Sequence, residues 1–333
     1  MRASPTSSAT ATSRPASIPT TSTSCSRSRS SREIDRGVTR HFRSTSNCLW
    51  RTAVPMQYKD PNDVRRVVSE TKDYYDGPAN EIYRHIWGEN IHIGYFEEDN
   101  ESLPEAMLHS NERMAEGVAL GNGDRVLDVG CGYGALARFL ARNYGCHVVA
   151  SNISDRELEW GRELTAEEGL GDKVEFEWAD FHDLPFEKSE FNYYWSQEAF
   201  LHAVDKTRVL REASRVLAPG GRIVFTDLLV RDGTPQEDRE RIYERVKSPD
   251  MWDRHHYESA LADAGLTVET HEDWSDNVAP TYAWVREQLE ERREEFENRI
   301  GVEAVDRTSA ALQFWVDAAN AGKIGWEYFV ARK

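Results

Sequence analysis

The sequence RVLDVGCGYG at residues 125–134 decides the fold. An apolar run that ends in an acid, followed by three alternating glycines, is typical of a buried strand that turns tightly into a helix, here near Ala135. Glycine has no Cβ, so Gly130, Gly132 and Gly134 can adopt positive φ and bring the backbone against a ligand at the helix N-terminus. The stretch therefore indicates a nucleotide-binding turn. It also fits the dinucleotide pattern GxGxxA, and a plain tight turn would use one or two of these glycines.

Strands and helices alternate after this turn. The apolar patterns predict further strands at residues 147–152, 173–180, 191–197, 222–228, 266–273 and 325–331. Strands that alternate with helices form βαβ units, so we expect an α/β fold with a doubly wound sheet covered on both faces. Ligands of such sheets bind at the carboxyl ends of the strands, where the strand order switches.

The first 55 residues differ from the rest of the chain, because 22 of them are Ser or Thr and nine are Arg, against two acids. Such a segment cannot bury a core, so we expect disorder. It is an organellar transit peptide, an interaction tail, or upstream sequence before a start at Met56. We favour the last, since a globular pattern begins directly after Met56, and we expect deletion of residues 1–55 to leave stability and turnover unchanged.

The remaining chain is predicted to have two parts. Residues 56–120 read as an N-terminal helical cap, and residues 121–333 as the nucleotide-binding domain. Two long, mostly helical intervals, at about 234–265 and 279–321, exceed a plain crossover connection, so we expect them to be lids over the site.

Charge and composition restrict the partners. The net charge is −17, and because residues 1–55 carry +7, residues 56–333 carry −24. Such a surface repels phosphate backbones and argues against nucleic acid. The mean hydropathy of −0.69 and the lack of a long apolar run argue against a membrane. The four cysteines have no metal-ligand spacing. We expect a soluble cytoplasmic monomer or homodimer without a metal, or an organellar protein if residues 1–55 are present.

The ends of the second and third strands bear on the cofactor. A nicotinamide enzyme needs an acid at the end of the second strand to bind the ribose, and this chain has Asn152 there. After the next strand, Asp180 offers a carboxylate for an adenine amino group and Phe181 a ring to cover the base. These residues disfavour a nicotinamide without excluding it.

Together with LPF at 184–186 and LAPGG at 217–221, these segments resemble the seven-stranded S-adenosylmethionine-dependent methyltransferases. The resemblance implies a seven-stranded, mostly parallel Rossmann-like sheet and S-adenosylmethionine as the cofactor. It places Asp128 and the three glycines at the methionine part, Asn152 at the ribose, Asp180 and Phe181 at the adenine, and Gln197 in the same site. Asn152 departs from the family, which usually has an acid there.

Further segments resemble the amine N-methyltransferases, and in particular the sarcosine/dimethylglycine N-methyltransferases of salt-tolerant organisms. They are Tyr75 with IWGEN at 86–90, the run from Trp195 through Leu217, and the end from Phe314 to Trp326. The resemblance implies a small-molecule amine substrate and synthesis of glycine betaine, with dimethylglycine favoured over sarcosine and glycine poor. The alternatives are a phosphoethanolamine N-methyltransferase and a non-catalytic cofactor-binding scaffold.

Methyl transfer to an amine requires an aligned lone pair and a route for the ammonium proton. His202 beside Tyr75 is predicted to provide that route, although a satisfied structural histidine is the plainer interpretation of His202. A methylated ammonium favours π faces and a carboxylate. We expect Tyr75, Trp87 and Trp195 to form part of an aromatic cage with Glu198, although strand alternation also allows Trp195 to be buried.

The acceptor's own carboxylate needs a cation. The first predicted lid offers Arg241, Arg245, Lys247 and Arg254, and we favour Lys247. Its place before Tyr257 resembles that of a phosphate-binding basic residue in the phosphocholine-forming enzymes.

Overall fold

A computed structural model describes residues 61–76, 83–98 and 100–333. The expectations for residues 1–55 and for a start at Met56 lie outside these ranges. The described strands are β1 (Arg125–Val129), β2 (His147–Asn152), β3 (Val174–Trp178), β4 (Phe191–Gln197), β5 (Leu217–Val230), β6 (Thr267–Asp273) and β7 (Ile324–Arg332).

These strands form one seven-stranded sheet in the order β3-β2-β1-β4-β5-β7-β6. Strands β1 to β5 pair in parallel, whereas β7 runs antiparallel to both β5 and β6. The strand order switches between β1 and β4, so the carboxyl ends of these two strands flank the expected ligand crevice. The predicted doubly wound, mostly parallel fold is confirmed.

Helices cover both faces of the sheet. They are α1 (Pro61–Asp76), α2 (Leu103–Glu116), α3 (Ala135–Tyr144), α4 (Asp155–Glu167), α5 (Lys206–Val216), α6 (Gln236–Val246), α7 (Arg254–Asp263), α8 (Val278–Glu291), α9 (Arg293–Ile300) and α10 (Val302–Asn320). A π-helical turn spans Tyr83–Trp87, and 3₁₀ turns span Phe200–His202 and Ser275–Asn277. Among the described helices, none is long and apolar enough to cross a bilayer.

The core is divided by the sheet into two layers. Because side chains alternate along a strand, Tyr193 and Trp195 of β4 enter one layer and Tyr194 enters the other. The first layer also holds Trp315 and Trp326, both fully buried. Aromatic side chains bury large areas, about 150–250 Å² each, so these rings contribute much of the stabilising apolar burial.

Strand β5 is longer than the sequence pattern predicts. Its start at Leu217 pairs with Phe191 of β4, and its end at Val230 pairs with Ile324 of β7. Pairing with β4 therefore extends β5 at its start, and pairing with β7 extends it at its end, beyond the predicted 222–228. Local propensity does not report such long-range pairing.

The two intervals predicted as lids contain different kinds of helix. Within 234–265, helix α7 places Tyr257, Ala260 and Leu261 in the second core layer, so it covers the sheet. Helix α6 and the turn after it are the part that faces the site described below. The interval 279–321 contains α8, α9 and α10, and α8 contributes Tyr282 to a cavity wall.

Candidate active site

The glycine turn joins β1 to α3 at the switch in strand order. Gly130, Gly132 and Gly134 have φ angles of +72°, +51° and +73°. A Cβ on Gly132 would meet nothing within 4 Å, whereas one on Gly130 would lie 2.4 Å from the Cβ of Ala199 and one on Gly134 would lie 2.6 Å from the ring of Phe176. Gly130 and Gly132 line a cavity of about 940 Å³, termed here the larger cavity because a smaller one adjoins it. Gly134 does not line this cavity. The cofactor role predicted for Gly134 is therefore corrected to a packing role.

Two buried carboxylates face this larger cavity. Asp128 is 2% exposed, and its Oδ2 has no hydrogen-bond partner among the described residues. Glu157, in the first turn of α4, is 3% exposed, and its Oε1 is likewise unpartnered within the described ranges. Burial raises the pKa of both groups to about 7. These oxygens can accept hydrogen bonds from ligand ammonium or hydroxyl groups.

Glu157 was missed in the sequence because it also occupies a capping position. Its N–H donates to Ser154 Oγ, 3.1 Å away, so the spacing Ser-x-x-Glu is explained by the helix start alone. Asn152 holds Glu157 in place, because Asn152 Nδ2 donates to Glu157 Oε2 over 2.7 Å and Asn152 Oδ1 accepts from Ile153 N. An acid from the next helix thus lies beside Asn152 at the end of the second strand.

The other residues predicted to bind the cofactor also line this cavity. Asp180 Oδ1 accepts from His182 N and lies 2.7 Å from His182 Nδ1. Burial raises the pKa of Asp180, but the bonds from His182 outweigh burial and hold it below its ordinary value. Phe181 packs edge-on to Phe200, and Gln197 donates to Asn111 Oδ1 over 3.0 Å.

A smaller cavity of about 400 Å³, termed here the acceptor cavity, adjoins the larger one. Both cavities are lined by the same five residues, termed here the junction: Tyr75, Ile91, His92, Glu198 and His202. Beyond the junction the acceptor cavity is enclosed by rings and aliphatic side chains, which are Trp87, Ile93, Leu201, Leu228, Val246 and Tyr282. A group transferred from one cavity to the other must pass the junction.

Tyr75 and His202 form the predicted pair at the junction. Tyr75 Oη lies 2.8 Å from His202 Nε2, and the two rings meet edge-on. His202 Nδ1 is buried without a hydrogen-bond partner in the described part of the chain. Burial, together with the nearby Lys206 cation, lowers the pKa of His202 to about 3. The imidazole is therefore neutral at physiological pH and accepts hydrogen bonds better than it stores a proton.

The turn that carries His202 is fixed on both sides. Leu201 N donates to Asp227 Oδ1 over 3.2 Å, and Leu201 O accepts from Ser248 Oγ over 2.6 Å. The fully buried Lys206 donates to the carbonyl oxygens of Ala203 and Asp250. These bonds tie the turn after α6 to the turn that holds His202.

Comparison with known proteins places this site in a family. A profile described as a methyltransferase domain matches residues 126–221. The sarcosine/dimethylglycine N-methyltransferase of Halorhodospira halochloris is 37% identical, over 80% of this chain and 97% of that protein. The dimethylglycine N-methyltransferase of Parasynechococcus marenigrum (strain WH8102) is 34% identical, over 78% and 94%. A crystal structure of a protein assigned as a sarcosine dimethylglycine methyltransferase, from Galdieria sulphuraria, has a TM-score of 0.74 and 31% identity, over 78% and 98%.

The chain belongs to the methyltransferase family of these proteins. It is an S-adenosylmethionine-dependent methyltransferase, as the sequence motifs predicted. The larger cavity fits this methyl donor, because Asp128 and Glu157 present unpartnered oxygens and Gly132 leaves open space beside the backbone. The roles of the individual side chains stay predictions.

The methyltransferase structure corrects two predicted substrate contacts. Trp195 is fully buried and lines neither cavity, because its position on β4 directs its side chain into the first core layer. Lys247 ends α6 with a left-handed φ of +52° and its side chain is exposed, away from both cavities. Tyr282, which lies edge-on to Trp87 across the acceptor cavity, was missed because no motif marks its position within the second predicted lid.

Glu198 lies at the junction but serves the fold of the methyltransferase. Its Oε2 accepts from Ile93 N over 3.0 Å, and its Oε1 accepts from Trp326 Nε1 over 2.6 Å. Glu198 thus holds the segment around Ile93 against the sheet. Because it also lines both cavities, its role as the counter-charge of the aromatic cage stays a prediction.

Proposed function

We propose that this methyltransferase methylates the nitrogen of sarcosine and dimethylglycine and so forms glycine betaine. The single observation that carries the proposal is the Tyr75–His202 pair at the junction of a cofactor-sized cavity with a small aromatic one. The names of the relatives support the same substrates. When bound, S-adenosylmethionine supplies an electrophilic methyl group on a sulfonium.

Residues of the larger cavity hold the methyl donor in this proposal. Asp128 accepts from its ammonium group, Glu157 from its ribose hydroxyls, and Asp180 with Phe181 binds its adenine. Gly132 lets the backbone lie beside it. Alignment is the main contribution of such a site, since well-oriented reactants reach effective molarities of about 10⁵–10⁸ M.

The acceptor cavity is suited to a methylated ammonium. Trp87, Tyr75 and Tyr282 present rings to it, and each cation–π contact contributes roughly 0.5–2 kcal/mol, more when water is excluded. The Tyr75–His202 pair accepts a hydrogen bond from the ammonium N–H of the acceptor. Because the pKa of His202 is about 3, the pair holds this proton only in passing and releases it to water, which leaves the neutral amine. The amine then keeps its lone pair directed at the junction.

Arg245 is the best-placed cation for the carboxylate of the acceptor. Its guanidinium lies 5.9 Å from the centre of the Tyr282 ring, and the next residue, Val246, lines the acceptor cavity. Phosphoethanolamine is a dianion at its phosphate and calls for several converging cations. None of the described residues that line the acceptor cavity is lysine or arginine, which favours a monoanionic amino acid.

The test is a comparison of kcat/KM for glycine, sarcosine, dimethylglycine and phosphoethanolamine with a labelled methyl donor. We expect dimethylglycine and sarcosine to be methylated and phosphoethanolamine to be at least about tenfold poorer. A preference for phosphoethanolamine would reject the proposal. Arg245→Met should raise KM for dimethylglycine about tenfold or more, since a charge-assisted hydrogen bond is lost, while Lys247→Met, the matched control, should leave it unchanged.

A further inference from the structure

His92 places a second imidazole at the junction, beside that of His202. It is 6% exposed, in the loop between the π-helical turn and α2, and it lines both cavities. Its Nδ1 lies 3.0 Å from the carbonyl oxygen of Ile93. Since a carbonyl only accepts hydrogen bonds, Nδ1 carries the proton and Nε2 carries the lone pair. Nε2 has no hydrogen-bond partner among residues 61–76, 83–98 and 100–333.

The ring of His92 is held in position by its neighbour. Ile93 N donates to Glu198 Oε2 over 3.0 Å, and Ile93 O also accepts from Ser110 Oγ over 2.8 Å. Burial lowers the pKa of His92 to about 4, so the ring stays neutral at physiological pH. A fixed acceptor is thus presented where the two cavities meet. A buried acceptor without a partner is costly, which indicates that a ligand N–H or O–H completes it.

The two proposed amines differ in what they can donate there. After losing one proton to expose the lone pair, sarcosine keeps one N–H, whereas dimethylglycine keeps none. We propose that His92 Nε2 accepts the remaining N–H of the secondary amine, and that His92 is therefore a specificity residue for sarcosine and not for dimethylglycine. This inference rests on the proposed function. The bond fixes rotation about the nitrogen and directs its lone pair to the junction, whereas in dimethylglycine two methyl groups fill the space.

The test uses substitutions that separate the two nitrogens of the ring. In His92→Asn the side-chain amide can still donate to Ile93 O but no acceptor remains at the place of Nε2. We expect this variant to lose about tenfold in kcat/KM for sarcosine and less than threefold for dimethylglycine, the size expected for one hydrogen bond. His92→Gln places an amide oxygen near Nε2 and should restore most of the activity on sarcosine.

Binding of S-adenosylhomocysteine by calorimetry gives the control. Its Kd should change less than twofold in both variants, because the proposed contact is to the acceptor. A drop in this affinity would assign His92 to the cofactor, and equal losses for the two amines would leave it a shaping role; either result overturns the inference. If the unaltered enzyme methylates neither amine, the proposed function fails and this inference with it, whereas a failure confined to the sarcosine/dimethylglycine ratio leaves the proposed function intact. If His92→Asn folds poorly, the inference is tested instead by the ratio of kcat/KM for sarcosine to kcat/KM for dimethylglycine, measured with His92→Gln and His92→Phe.

Discussion

Replacing Gly132 by alanine should separate cofactor binding from folding. The new Cβ would meet nothing within 4 Å, so the fold loses only the cost of a left-handed backbone at φ +51°. That cost is about 1–2 kcal/mol. For a protein of this size each kcal/mol lowers Tm by about 2–4 °C. The same methyl group would enter the larger cavity, which Gly132 lines, so we expect the affinity for S-adenosylhomocysteine to fall at least about tenfold.

Two other glycines serve as controls for Gly132→Ala. Gly169 has φ +69° and open space around its Cβ position, and it lines neither cavity, so Gly169→Ala should lower Tm equally and leave affinity unchanged. At Gly130 a Cβ would lie 2.4 Å from the Cβ of Ala199. Gly130→Ala should therefore cost a further 1–3 kcal/mol or so from overpacking.

Thermal unfolding by fluorescence and ligand titration by calorimetry measure both quantities on the same samples. Wild-type affinity in Gly132→Ala would refute the assignment of this backbone to the cofactor. Equal loss of affinity in Gly169→Ala would show that the left-handed cost, and not the cavity, governs binding.

Two further predictions concern the reaction and its pH dependence. Tyr75→Phe and His202→Ala should each lower kcat about tenfold to a thousandfold, since both side chains act at the junction. The affinity for S-adenosylhomocysteine should change less than twofold in both variants. An unchanged kcat in His202→Ala across the pH range would make this histidine structural. Burial raises the pKa of Asp128 to about 7 from an ordinary 3.8, so the folded apo-protein holds a proton that the unfolded chain releases. The contribution of Asp128 to stability should therefore fall as pH rises from about 4 through 7, so the stability of Asp128→Asn relative to the unaltered protein should rise over this range, as scanning calorimetry can measure. The affinity for S-adenosylhomocysteine should rise from pH 6 to 8, because its ammonium group pairs with the ionised carboxylate, and a pH-independent affinity would contradict this role of Asp128.

The sheet could be predicted because its signals are local. Each strand is a short apolar run bounded by turn residues, and the alternation with helices fixes the parallel pairing. Asp128, Asp180 and Gln197 lie where predicted because they end such strands or follow them directly, at the edge where ligands bind. The pattern did not predict the extent of β5, since its start pairs with β4 and its end pairs with β7, about a hundred residues away in the chain.

The substrate side could be predicted only in part, because it depends on which way side chains face. Trp195 was assigned to a cage by its residue type, but its place on β4 puts its side chain in the first core layer. Lys247 was assigned by its distance from Tyr257, yet the end of α6 turns its side chain to solvent. Tyr282 comes from a segment far from the motifs, and His92 follows IWGEN by two residues without belonging to it. Only the folded chain brings both residues to the acceptor cavity.

The central claim is that this chain transfers the methyl group of S-adenosylmethionine to the nitrogen of dimethylglycine. Incubation of the purified protein with deuteromethyl-labelled S-adenosylmethionine and unlabelled dimethylglycine, followed by mass spectrometry, tests it most directly. Glycine betaine carrying one labelled methyl group should appear together with an equal amount of S-adenosylhomocysteine. S-adenosylhomocysteine without labelled betaine, or label transferred only to phosphoethanolamine in a mixture of the two acceptors, would contradict the claim.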